Sequence, residues 1–185
     1  MPLFSDVVTV GGVRLELLRP SSPEALIDEE AFAEDEFLPY WAELWPAARA
    51  LADALPDVRG LRVVELGCGL GVPSLVAAAN GAAVTATDWS SDAIELLREN
   101  AARNGLALTA EVRDWREPWR ERFDLTLAAD VLYERRNVEP VLDRLRELAP
   151  EALVALAGRP YEDAFLEGAG DVEEVAPRVV RLYGT

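Results

Sequence analysis

The chain has no histidine and a single cysteine, Cys68, in 185 residues. Without imidazole there is no histidine-ligated zinc and no Ser-His-Asp or Cys-His machinery, and no metal site is expected. One cysteine cannot form an internal disulfide, which fits a reducing compartment, and a cytoplasmic location is the expectation. Lysine is absent too: all 18 basic residues are arginine against 34 Asp and Glu, a formal net charge of −16. A field of that sign repels polynucleotides and attracts cations, so no nucleic-acid partner is expected. Long apolar runs are also missing. The most apolar window, residues 70–86, is broken at Asn80-Gly81 and reads as a helix followed by a strand, so no membrane partner is expected either. The opening MPLFSDVVTV lacks a basic region ahead of an apolar block and does not read as a signal peptide.

What is present is an ordinary globular mixture, 50% apolar and 28% charged, long enough for one domain with a real core. Residues 1–38 read as a β-hairpin, its strands flanking Gly11-Gly12, and then an acidic connector, Glu24–Glu36, on a solvated face or around a basic ligand. Residues 39–185 read as the core. A helix starts at Pro46, with Ala47, Leu51 and Leu55 at helical spacing, and stops at Pro56-Asp57. Apolar strands and helices then alternate: LRVVELG, a helix to Asn80, AAVTATD, a helix over 92–103, LALTAEVRDW, FDLTLAAD, a helix over 138–148, and ALVALAG. A short helix near 161–167 precedes DVEEVAP and VVRLYG, which are close enough to pair as a hairpin. This order argues for an α/β, Rossmann-like, doubly wound sheet, mostly parallel.

The chemistry concentrates at strand ends. In VVELGCGLG a strand runs into Glu65-x-Gly67-x-Gly69-x-Gly71, and Pro73 opens a helix. Glycines let the backbone turn sharply beside a ligand, and the helix N-terminus offers free N–H groups. A dinucleotide fingerprint would place its third glycine at position 72, which is Val72. Glu65 instead suits a cationic or hydroxylated ligand. Asp88 ends the next strand, either as a ribose acceptor or as a helix cap; Ser90, Ser91 and Asp92 offer caps of their own, leaving Asp88 freer for a ligand. Cys68 reads as a small buried hydrophobe, since no histidine or lysine is present to lower its pKa. In PYWAELWPAA, residues 39–48, Tyr40, Trp41 and Trp45 are either core filling or part of a binding wall.

The E-x-G-x-G-x-G turn followed by an acid ending the next strand resembles the class I, seven-β-strand S-adenosyl-L-methionine-dependent methyltransferases, from Tyr40 onward. Arg113-Asp114-Trp115, the AADVLYE segment and Trp45-Pro46-Ala47-Ala48 resemble more narrowly the protein-lysine methyltransferases with a D-x-x-Y motif. The resemblance implies seven strands with the last antiparallel, and S-adenosyl-L-methionine as cofactor, leaving S-adenosyl-L-homocysteine. It places Glu65, Gly67, Cys68, Gly69, Asp88 and Asp114 at the cofactor, with Trp45 against it, Trp115 on the adenine and Ala129 lining the site. Tyr40 and Trp41 would wall a narrow opening. Asp130 and Tyr133 would face the amine; from the residues alone, Asp130 is equally a cap and Tyr133 plain packing. The partner implied is a protein presenting a lysine. A small-molecule amine on the same cofactor, or a non-catalytic cofactor-binding module, are the alternatives.

Such a transfer is an in-line displacement that requires a neutral amine, and a lysine near its reference pKa of about 10.4 costs roughly 4–5 kcal/mol to deprotonate at pH 7. A charged Asp130 works against that, because it favours the ammonium. Its expected task is to capture and orient the amine, with the proton lost to water.

Overall fold

The computed structural model describes residues 3–21 and 40–184. The acidic run Glu24–Glu36 and Pro39 lie outside the described residues. Strands β1 (Leu3–Val10) and β2 (Val13–Pro20) form the expected antiparallel hairpin. Its turn needs Gly11 and Gly12, both at positive φ (56° and 73°).

The core follows as helix α1 (Pro46–Asp53), β3 (Arg62–Leu66), α2 (Val72–Ala79), β4 (Ala83–Asp88), α3 (Ser91–Arg103) and β5 (Thr109–Val112). Then come β6 (Leu125–Ala129), α4 (Val138–Leu148), β7 (Glu151–Ala155), α5 (Glu162–Ala169), β8 (Val172–Ala176) and β9 (Val179–Tyr183). The seven-stranded sheet has the order β5-β4-β3-β6-β7-β9-β8, with β9 antiparallel to both its neighbours. The expected Rossmann-like sheet with an antiparallel last strand is therefore present. Helix α1 ends before Leu55, and β5 occupies only four residues of LALTAEVRDW.

Alternate strand residues feed two cores. Val63, Leu127 and Leu153 join Ala47 and Leu51 of α1, while Val64, Leu66, Ala128 and Val154 join the apolar stripe Val138, Val141, Leu142, Leu145 and Leu148 of α4. Burial on both faces explains why these strands read as continuous apolar runs.

The hairpin is fastened to α3 by two asparagines one turn apart. Asn100 accepts from the Leu18 N–H at 2.7 Å and donates to the Leu18 carbonyl at 2.9 Å; Asn104 repeats this with Glu16 at 2.9 and 2.8 Å. Each side-chain amide stands in for one residue of a neighbouring strand, satisfying an edge of β2 that would otherwise be buried unpaired. At the other end the Gly11 N–H donates to Asp53 of α1 at 2.6 Å.

Candidate active site

Successive crossovers run outward from β3 toward β5, and from β6 toward β7, so the loops after β3 and β6 diverge. An open α/β sheet binds ligands at such a point, beyond the carboxyl ends of its strands. Here a cleft of about 940 Å³, partly open to solvent, is bounded by the glycine turn, the Tyr40–Ala48 segment and the ends of β4 and β6. A second recess of about 800 Å³ shares Trp89, Trp115, Tyr133 and Glu134 with it.

The glycine turn is held open by what crowds it. A Cβ on Gly67 would stand 2.9 Å from the Trp115 ring, and one on Gly69 would stand 3.2 Å from the Trp41 carbonyl oxygen. Both glycines also have positive φ (63° and 51°). Trp115 is thus pressed against the turn, and its indole Nε1 is buried without a hydrogen-bond partner among the described residues. A buried orphan donor on a cleft wall is costly unless a ligand takes it up.

Glu65 does something the sequence did not suggest. The N-cap position of helix α2 is Gly71, which has no capping side chain. The Glu65 carboxylate supplies the missing acceptor, taking the Ser74 N–H at 2.9 Å and the Ser74 hydroxyl at 2.5 Å. It is almost fully buried, and burial pushes its pKa up to about 8. Asp88 is likewise less free than expected. Ser90 does cap α3, accepting from Ala93 N–H, but Asp88 accepts from the N–H groups of Gly69 and Ser90, both at 2.9 Å. Burial raises the Asp88 pKa and, with the two nearby carboxylates, raises that of Cys68. The thiol is therefore held protonated and inert, in line with its reading as a small hydrophobe.

On the opposite wall Trp45 donates through Nε1 to the Tyr40 carbonyl at 2.6 Å. Tyr40 lies 6.3 Å from the Trp45 ring and 5.4 Å from Tyr133, so the three form a continuous aromatic side. Burial pushes the Tyr133 phenol up to about 12, which keeps it protonated near neutrality and suits it to hydrogen bonding, not to proton abstraction. Asp130 follows β6 in the left-handed region, φ 53°, a conformation that Asp tolerates better than most residues.

Trp45, Glu65, Gly67, Cys68, Gly69, Asp88, Trp115, Ala129, Asp130 and Tyr133 all line the main cleft. Asp114 does not. It borders the second recess, where Arg116 grips its carboxylate at 2.5–2.9 Å. Two functional candidates escaped the sequence reading. Trp89, directly after Asp88, borders both spaces and is 44% exposed. Arg159 closes on Asp130 through a two-pronged ion pair. Trp89 directly follows the end of β4, a signal the sequence offered, whereas Arg159 stands four residues past the end of β7 and has no local mark.

Glu43, Glu65, Asp88, Asp130 and Glu134 set five carboxyl groups on the main cleft against one guanidinium, Arg159. Glu65, with its pKa of about 8, adds no charge at pH 7 and Asp130 is paired with Arg159, and the other three carboxyl groups make this a lining that favours a cationic ligand. Among the described residues, no three His, Cys, Asp or Glu side chains converge as metal ligands, and no helix is long and apolar enough to cross a membrane.

Comparison with known proteins agrees with this geometry. A model of a family described as lysine methyltransferase matches residues 38–167. The electron transfer flavoprotein beta subunit lysine methyltransferase of Xenopus laevis is 37% identical over 118 residues, 58% of this chain and 46% of that protein. EEF1A lysine methyltransferase 3 of Mus musculus is 32% identical over 130 residues, 64% of this chain and 55% of that one. The chain thus spans about half the length of these relatives. Among solved structures, the T. thermophilus 16S rRNA N2 G1207 methyltransferase in complex with AdoMet and guanosine superposes with a TM-score of 0.72 at 20% identity, over 99% of this chain and 51% of that one. At that identity the likeness concerns the fold.

Proposed function

Since the chain belongs to the lysine methyltransferase family, we propose that it transfers a methyl group from S-adenosyl-L-methionine to the side-chain amine of a lysine in a protein, leaving S-adenosyl-L-homocysteine. The observation that carries this reading is the meeting, in one cleft, of the glycine turn and Asp88 with Asp130 and Tyr133. When bound, the cofactor supplies a methyl group on a sulfonium cation.

The residues present fit that group. Carboxyl groups outnumber the one arginine among the described residues of the cleft even with Glu65 neutral at pH 7, and a positive sulfur is also welcome on the aromatic side made by Trp45 and Tyr40. Asp88 would accept from the ribose hydroxyls and Gly67, Cys68 and Gly69 would lie along the methionine portion. The second recess, with the Trp89 and Trp115 rings and the Asp114 carboxylate as acceptor, suits an adenine. Ala129 leaves room at its backbone. Asp130 would orient the amine, and the Tyr133 hydroxyl would hold it in line while its ring narrows the channel. Proton loss is assigned to water, because the cleft carboxyl among the described residues whose pKa lies near neutrality, Glu65, is buried and engaged by Ser74.

The net charge of −16 supports a cationic protein acceptor over a polynucleotide, and the lone buried thiol accords with a cytoplasmic setting. The test is transfer of labelled methyl from S-adenosyl-L-methionine into a cell extract that is fractionated by size and acid-hydrolysed. Methyl-lysine in a protein band is the expected result; label only in small molecules points to a metabolite amine, and no label despite cofactor binding points to a binding module. Asp130→Ala should lower the rate by about 100-fold and Tyr133→Phe by about 10-fold, with cofactor affinity retained. Full turnover in both variants would refute these two roles.

A further inference from the structure

The carboxylate proposed to meet the amine is already engaged. Arg159 Nε donates to Asp130 Oδ1 at 2.7 Å and Arg159 Nη2 donates to Oδ2 at 2.6 Å. The Asp130 side chain is only 6% exposed, and the guanidinium, 31% exposed, stands 5.7 Å from the centre of the Trp45 ring. We propose that Arg159 is a positioning residue that compensates the charge of Asp130, so that the acceptor amine is held at the site in its neutral, nucleophilic form. The inference rests on the lysine-methylation reading and adds to it a determinant of the acceptor's protonation state.

Two features show that the arginine is built into the site. The loop carrying it is clamped from below: Glu162 accepts through Oε1 from the N–H groups of Ala157, Gly158 and Arg159 at 2.7, 2.7 and 3.0 Å. Its other oxygen takes Arg178 Nη2 at 2.8 Å, and Arg178 Nε reaches the Leu156 carbonyl at 3.1 Å. Asp130 is fixed from its own side, its N–H donating to the Ala155 carbonyl at 3.1 Å. Both partners of the pair are therefore preorganised, and a cationic substrate that had to expel the arginine would also have to break this framework.

The chemistry follows from charge. A bare carboxylate beside a lysine stabilises the ammonium, which has no lone pair to attack a methyl group. A fork–fork pair carries no net charge, and each carboxylate oxygen keeps an acceptor position beyond the one that the arginine uses. Asp130 can then accept a hydrogen bond from a neutral amine, while the guanidinium opposes its reprotonation. The other charged or titratable groups that line the cleft with the pair, among the described residues, are Tyr40 and Glu43 on the aromatic segment, Glu65, Cys68 and Asp88 across the cleft, and Tyr133 and Glu134 after β6. Glu162 lies beneath the loop. All are common to wild type and an Arg159 variant, so the difference between two pH profiles isolates the arginine.

The experiment uses the acceptor protein identified by the labelling above, at saturating concentration, with kcat and KM measured from pH 6.5 to 10 for wild type, Arg159→Met and Arg159→Lys. A melting curve confirms that each variant is folded. In Arg159→Met the rising limb of kcat should move up by about one pH unit or more, which is about a 10-fold loss at pH 7.5 recovered at high pH. KM at pH 7.5 should be unchanged or lower, because a bare Asp130 holds an ammonium well. Arg159→Lys keeps the charge and should return the limb toward wild type. A loss independent of pH, or an unshifted limb, overturns the inference and leaves lysine methylation intact. The chain has no other lysine, so methylation of the residue introduced in Arg159→Lys would show that position 159 occupies the acceptor place itself, and would overturn it too. If wild type labels no lysine at all, the functional reading fails first.

Discussion

Glu65 shows how one side chain links stability to the site. It sits in a buried position, caps α2 through Ser74 and has its pKa raised from the ordinary 4.5 to about 8. Between those two values the folded protein keeps a proton that the unfolded chain has released. Its contribution to stability is therefore complete below pH 4.5 and is lost as the pH rises through about 8. The ligand-free protein should melt at progressively lower temperature from pH 5.5 to 8.5, and Glu65→Gln, which retains an acceptor for Ser74, should flatten that slope. A slope unchanged in the glutamine variant would assign the effect elsewhere, with Asp88, shifted in the same direction, the next group to test. The sequence placed Glu65 at the site because of where its strand ends. It could not reveal the bond to Ser74, which exists only once the glycine turn folds back over nine residues. Arg159 stayed hidden for a related reason. Nothing local marks it, and its partner Asp130 is reached only because β6 and β7 are neighbours.

At the scale of elements, the Asn100 and Asn104 amides fasten the hairpin to the core. Asn104 reads in the sequence only as a helix stop before Gly105, and it does serve as the C-cap that follows Arg103, the last residue of α3. Its second task, and that of Asn100, joins residues 82 to 88 positions apart, which no local pattern records. Asn100→Ala would strand the buried N–H and carbonyl of Leu18. At about 1–2 kcal/mol for each unpaired group, the variant should lose about 2–4 kcal/mol in denaturant unfolding. Asn104→Ala, on a partly buried bond, should lose about 1 kcal/mol. Hydrogen exchange provides the sharper check: the Leu18 and Glu16 amides should exchange faster in the respective variants while β3 to β7 stay protected. Uniform loss of protection would mean that the hairpin is integral to the cooperative unit and not fastened onto it. The elements themselves were largely legible, because each strand–helix alternation is written in local periodicity. The boundaries that moved lie at α1, where Leu55 continues the apolar stripe past the last helical bond, Ala54 N–H to the Ala50 carbonyl, and at β5, where Leu106 and Leu108 pack on the core ahead of the first paired residue, Thr109.

For the whole molecule the dominant fact is charge. The mostly parallel sheet follows from the alternation of strands and helices that the sequence displays, the antiparallel last strand is implied by the family resemblance, and the order of strands and the cleft between β3 and β6 appear only in the fold. The charge of −16 says nothing about fold and bears instead on encounter. The cleft carries the same sign more weakly, since of its five carboxyl groups Glu65 is neutral at pH 7 and Asp130 is paired with Arg159. If the acceptor is a cationic protein, the field should act before contact and fade with ionic strength, since the Debye length falls from about 30 Å at 0.01 M salt to about 8 Å at 0.15 M. Across that range kcat/KM for the acceptor should fall by about 3- to 10-fold, carried by KM, while kcat at saturation stays within about 2-fold because the groups around Asp130 and Arg159 are shielded by protein from the salt. Stopped-flow or initial-rate measurements at the two salt concentrations decide it. A salt-independent kcat/KM would mean that the acceptor is recognised through short-range contacts at the mouth of the cleft, where Tyr40 and Trp89 are exposed aromatic residues, and would shift the search for specificity from charge to shape.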